Sequence, residues 1–189
     1  TDELLVEIYK EKMKDLGFTY STHIQKKGRE SHIRNKKVLS KKDVYNVYNS
    51  RKEFAQKLIS FGVSKGNKST INPLNKKILT YSERTLSNFL KGVFDGDGSI
   101  RLNPIEIILT TGIEKNAILF QEALMRLDII SLVKKSTNSW HCEIRGAKNC
   151  LRFYEKIGTN HHRKLLRFEK INPKEIKNRI DVLPNHQEY

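Results

Sequence analysis

Two glycines 96 positions apart, Gly62 and Gly158, each close a helical segment, and the elements ahead of them run in the same order. In the first copy Leu5, Ile8, Tyr9, Met13 and Leu16 recur at helical spacing over 2–16 and stop at Gly17. Residues 18–27 alternate as a strand does, a basic polar loop runs to about Lys42, a short strand falls at 44–50, and a helix spans 51–61. In the second copy a helix over 114–127 carries Ile118, Phe120, Leu124 and Leu127. A strand at 131–137 follows, then an alternating strand at 140–145 and a helix over 147–157. Sliding the chain by 96 sets Phe61 on Ile157, Leu58 on Tyr154, Phe54 on Cys150 and Lys52 on Lys148. Such self-similarity predicts an α+β chain of two copies of one unit. The first, incomplete copy is expected over 1–80, the second over 81–170, and a basic tail over 171–189.

Charge narrows the partner. The 189 residues hold 36 Lys and Arg against 21 Asp and Glu, a net charge of +15. Between 24 and 52, ten of the basic residues face Glu30 and Asp43 alone, and a second basic run lies between Arg163 and Arg179. Clustering of this kind suits a polyanion, where neutralised phosphates release their counterions. No stretch approaches the ~20 apolar residues that a membrane helix needs. The start of the chain is amphipathic and acidic rather than a secretory leader. Cys142 and Cys150 have neither metal-site nor redox spacing and read as buried thiols of an intracellular protein.

Between the copies lies the segment that carries chemistry. Ser82 can cap a helix whose apolar face is Leu86, Phe89, Leu90 and Val93. Gly92 and Gly96 lie one turn apart, so another backbone can approach that side closely. The helix ends on Asp95-Gly96-Asp97-Gly98, where backbone carbonyls disfavour each carboxylate by ~0.3–1 kcal/mol. A divalent cation would reverse that sign, since Mg2+ takes carboxylate oxygens together with water and phosphate. Asp-Gly steps also make hairpin turns, so these four residues alone leave a plain chain reversal open. They do not make an EF-hand, because the glycine comes too early and no Glu closes the loop.

The longer string from Leu90 to Gly98 resembles the motif of the LAGLIDADG homing endonucleases. It matches at Leu90, Gly92, Asp95, Asp97 and Gly98, with apolar Val93 and Phe94 between, while Lys91 and Gly96 stand where the motif has small alanines. The resemblance implies tandem αββαββα repeats in which two motif helices pack together under a β-saddle that lies on double-stranded DNA. It implies a Mg2+-dependent, sequence-specific endonuclease encoded in an intron, an intein or a phage genome. Asp97 would be the catalytic, metal-holding acid; Asp95, Gly92, Gly96 and Gly98 would shape the motif. The first copy lacks its motif helix. The partner acid would come from a segment ahead of residue 1 or from a partner chain, unless the motif has been lost. The same scaffold without cleavage would bind DNA as a regulator, or RNA in the manner of an intron maturase.

Phosphodiester hydrolysis also calls for basic groups near the metal. Arg101 is the nearest in sequence and Lys134 is the candidate brought in by the fold, with Lys135 beside it as a DNA contact. A β-ribbon fits the major groove. Strand alternation offers Ser99, Arg101 and Asn103 on one face, Ser21, His23, Gln25 and Lys27 on another, and His141 and Arg145, with Glu143, on a third. Arg51 and Lys52 complete the DNA-binding set. His161 and His162 have no metal spacing and read as a solvent loop.

Overall fold

The structure is a computed structural model that describes residues 3–28, 30–33, 36–39, 43–64 and 73–171. Arg29, Arg34, Lys41, Lys42 and all of the expected C-terminal tail except Ile171 lie outside the described residues. The chain divides into two compact units between Ser60 and Phe61, so the boundary expected at 80 falls inside the second unit. The reason is the segment 73–80: Asn75 caps a 3-10 turn over Lys76–Thr80, and its Ile78 is 1% exposed within the core of the second unit.

The second unit runs α3 Glu83–Asp97, β5 Gly98–Leu102, β6 Ile105–Thr111, α4 Glu114–Met125, β7 Leu132–Lys135, β8 Trp140–Arg145, α5 Ala147–Lys156 and α6 His162–Phe168. Its first seven elements are the αββαββα order. The four strands form one antiparallel sheet, β5-β6-β8-β7. In register, Ile100 faces Ile107 and Ile107 faces Ile144, while Leu109 faces Cys142. Period-two alternation puts all five on one face. Leu86, Leu90 and Phe94 of α3, Leu119 and Leu124 of α4, and Phe153 of α5 close the same cluster. Each such side chain contributes about 1.5–3 kcal/mol by leaving water. Within α4, Ile118 is exposed rather than core, because Ala117, Phe120 and Leu124 take the buried side. Asn103, expected on a strand face, sits in the β5–β6 turn.

Both cysteines are buried free thiols. Burial pushes Cys142 up to about 11 and Cys150 up to about 12. Their thiolate fractions at pH 8 are therefore very small, and native protein is expected to react with an aromatic disulfide reagent only as fast as it opens. Two thiols titrating at once in native buffer would contradict this burial.

The first unit runs α1 Glu3–Asp15, β1 Ser21–Gln25, β2 Glu30–Ile33, β3 Lys36–Leu39, β4 Val44–Tyr48 and α2 Lys52–Ser60. β1 pairs with β4, and β2 pairs with β3, both antiparallel. The basic loop expected to reach Lys42 thus contains a hairpin. That hairpin explains the repeat. The ends of α1 and α4 match at a shift of 111. Phe18 N–H bonds Met13 O and Ile129 N–H bonds Leu124 O, with Gly17 and Asp128 both left-handed. Downstream of the hairpin, α2 and α5 match at 96, ending on left-handed Gly62 and Gly158. The first unit therefore repeats the order α4-β7-β8-α5, with β2 and β3 inserted between its two paired strands. β1 itself has no buried face: Ser21, Thr22, His23 and Ile24 are all exposed.

Candidate nucleic-acid interface and motif acid

Ser82 begins α3 by accepting a hydrogen bond from Thr85 N–H, as an N-cap does. The helix stays regular through Asp97 and passes straight into β5 at Gly98, so Asp95-Gly96-Asp97-Gly98 is a helix end and not a hairpin turn. Gly98 is required by packing: a Cβ there would sit 2.6 Å from Phe94 O and overlap the Phe94 ring.

The two acids of the motif meet different surroundings. Asp95 is buried, and its carboxylate accepts from Asn160 N–H at 3.1 Å and from the Thr159 hydroxyl, which ties the end of α3 to the loop before α6. Asp97 is exposed, and its carboxylate acts on the Lys164 ammonium through its charge. Between them stands Lys164. Its ammonium donates to Phe94 O and, at 3.0 Å, to Asp95 O, and lies 4.7 Å from the Phe94 ring centroid. Burial holds this ammonium below the usual lysine range, and the Asp95 and Asp97 carboxylates pull the other way. The cation that a carboxylate-bearing helix C-terminus calls for is thus partly supplied by the chain itself. Lys164 lies 67 residues beyond Asp97, and its place in the second basic run marked it in the sequence without assigning it this partner. Substituting Lys164→Met keeps the stem on Phe94 and removes the charged bonds. A loss of about 1.5–3 kcal/mol is expected in a denaturant melt, since hydrogen bonds to charged groups carry about that much.

Asp97 opens on a groove of about 350 Å³ lined by Gly92, Val93 and Gly96 of α3, Thr110 to Gly112 at the end of β6, and Asn116 and Phe120 of α4. A Cβ on Gly92 or Gly96 would meet nothing within 4 Å, so this side of α3 is open. On the other side of the β5 start, Arg163, Lys164, Arg167 and His161 line a cavity of about 200 Å³ with Gly98, Ser99 and Ile100. Arg167 also donates to Ile100 O at 2.6 Å. His161, expected in a solvent loop, is buried there, at the N-cap of α6.

A Mg2+ ion fits this end of α3 in part. Asp97 offers one exposed carboxylate, and hard cations of this size take one or two, completing their shell with water and phosphate. No group of three potential metal ligands exists among the described residues.

The sheet face away from the core brings together several expected DNA contacts. Ser99, Arg101, Lys134, His141 and Arg145 share it, together with Glu106, Ile108, Thr110 and Glu143. Lys135 does not, because neighbours on a strand alternate; its ammonium lies 5.7 Å from the Trp140 ring centroid, on the opposite face. Neither Lys134 nor Arg101 lines the groove at Asp97. In the first unit, Ser21, His23 and Gln25 share one face of β1 opposite Tyr48, Asn46 and Val44. Lys27 lies past the strand end, where its N–H donates to Asp43 at 2.8 Å. Arg51 and Lys52 are exposed at the start of α2.

An acid-ended helix running directly into the edge strand of an antiparallel sheet places the second unit in a defined class of α+β domains. Residues 84–158 match the family model of the LAGLIDADG-like domain. Among solved structures, the N-terminal LAGLIDADG domain of DUF199/WhiA is similar over 85% of this chain and 67% of that one, at 23% identity and a TM-score of 0.49. Full-length DUF199/WhiA from Thermatoga maritima is similar over 85% of this chain and 46% of its own, at 18% identity and a TM-score of 0.48. No curated protein matches the chain. Among the described residues no helix is long and apolar enough to cross a membrane.

Proposed function

We propose that this chain carries one motif-bearing half of a LAGLIDADG-type endonuclease that hydrolyses phosphodiester bonds of double-stranded DNA with Mg2+. The observation that carries the reading is the state of Asp97: an exposed carboxylate at the end of the motif helix, beside the open Gly92 and Gly96 face and within the field of Lys164. Bound there, Mg2+ would polarise the phosphate and lower the pKa of an attacking water. Asp97 would hold it with one carboxylate. Lys164 keeps positive charge at the helix end, and the sheet face and the Arg163–Arg167 cavity offer cations to the phosphate backbone. The second carboxylate would come from another motif helix seated on the glycine face, contributed by a preceding segment or by a second copy.

A second reading has its own observation. Among the described residues no group of three potential metal ligands forms, at Asp97 or elsewhere. A non-cleaving nucleic-acid-binding protein would need none, and it would use the same basic surfaces on DNA or RNA. The test is incubation of the protein with a plasmid library carrying randomised inserts, in Mg2+ and in EDTA. Linearised plasmid that appears only with Mg2+ supports the endonuclease. Salt-sensitive binding with all plasmid intact supports the binder.

A further inference from the structure

We propose that Glu106 and Glu143 are positioning residues that hold Arg101 and Arg145 as a pre-ordered pair of guanidiniums for reading guanine in the major groove. The proposal rests on the reading of this sheet face as DNA-facing and names how that face would discriminate sequence.

The residues stand in one row across three strands, Arg101 opposite Glu106 and Glu106 opposite Arg145. Arg101 Nη1 donates to Glu106 Oε2 at 3.1 Å, and Arg145 Nε lies 3.5 Å from the other oxygen, Oε1. Arg145 Nη2 pairs at 2.5 Å with Glu143, whose second oxygen lies 3.7 Å from His141 Nδ1. One carboxylate is thus shared by two arginines, and a second secures Arg145 from the next position on its own face.

Burial separates the roles. The Glu106 and Glu143 side chains are 8% and 5% exposed, against 57% and 50% for Arg101 and Arg145. A glutamate can accept from cytosine N4 only if it reaches the base edge, and these two lie beneath the arginines. The arginines reach solvent, and each guanidinium has five N–H donors, of which the glutamates use only some. The guanine O6 and N7 acceptors are the usual partners of such a fork. A guanidinium already fixed by a carboxylate loses little rotamer freedom when it meets a base, so its selectivity exceeds that of a mobile lysine of equal charge. Two acids buried on a face that otherwise recommends itself for a polyanion oppose bulk affinity. That makes them a device for selectivity and not for attraction.

The test is selection from a randomised duplex pool at one salt concentration, with the full chain, Glu106→Gln and Arg145→Lys. The wild type is expected to select guanine at one or more positions, and 7-deazaguanine there, which removes one of the two acceptors of a bidentate pair, should lower its affinity about fivefold. Glu106→Gln should bind random duplex at least as tightly, having lost a negative charge, yet lose the 7-deaza sensitivity at the guanine read by Arg101, while Arg145, still held by Glu143, keeps its own. Arg145→Lys keeps the charge but not the fork and should lose the sensitivity at the other guanine while that read by Arg101 remains, which covers the case in which Glu106→Gln fails to fold. The proposal is overturned by a wild type that binds duplex without guanine preference, by a Gln variant that keeps the preference undiminished at every position, or by one that loses affinity equally for all sequences. Each of these leaves DNA binding standing. A wild type that binds no duplex removes this proposal and the proposed function together.

Discussion

Asp97→Asn is expected to leave folding and DNA affinity in place and to lower Mg2+-dependent cleavage by at least about a thousandfold. The size follows from what metal polarisation contributes, several kcal/mol, at 1.36 kcal/mol per tenfold in rate. Asn preserves the shape but removes the charge that would hold the ion. Because Asp97 is exposed, and its attraction to Lys164 opposes its repulsion by the helix end, the melting transition should move little. Asp95→Asn is the instructive contrast. Its buried carboxylate binds Asn160 N–H and the Thr159 hydroxyl and faces the Lys164 charge, so its loss should appear first as instability. Cleavage time courses and thermal melts of the two variants, run together, separate a chemical acid from an architectural one. Equal melting shifts for the two would remove that distinction.

Phe94→Ala is the largest stability effect expected, about 3–5 kcal/mol, because removing a buried aromatic side chain loses its transfer energy and leaves a cavity. Phe94 is fully buried, meets Phe153 edge-on at 5.0 Å and Phe168 at 5.9 Å, and lies under the Lys164 ammonium. It also lies against the position a Gly98 Cβ would fill, so α3, β5, α5 and α6 all meet around this ring. With total stabilities of domains at 5–15 kcal/mol, such a loss is a large fraction of the whole. A midpoint shift in urea of the corresponding size would confirm it. A loss under about 1 kcal/mol, far below the usual range for such truncations, would mean that the core does not converge here.

What the sequence shows well is local. The α3 helix, its Ser82 cap and the acids at its end are readable because cap, apolar spacing and terminus lie within nineteen consecutive residues, 82–100. β8 is readable over 140–145 because its two faces differ in polarity. The hairpin of β2 and β3 is not, since a stretch dense in lysine and arginine carries no alternation that separates strand from loop. Its insertion also hides why the repeat matches at 96 in one half and at 111 in the other. Lys164 escapes because its target is a pair of backbone carbonyls 70 and 69 residues earlier, and carbonyls leave no trace in side-chain patterns. The pairing of Glu106 and Glu143 with the arginines escapes for a related reason. Alternation assigns them to the polar face, and only cross-strand register reveals that paired arginines lie over them.

The proposed endonuclease needs a second motif helix seated on the glycine face of α3. Gly96→Leu tests it most directly. In this chain the added side chain enters open space, and replacing a helical glycine by leucine favours the helix by up to about 1 kcal/mol, so the melting temperature should hold or rise. Mg2+-dependent cleavage by the same preparation should disappear, because a leucine there keeps another backbone at a distance. A Gly96→Leu protein that melts like the wild type and cuts DNA at the wild-type rate would show that no helix seats on this face.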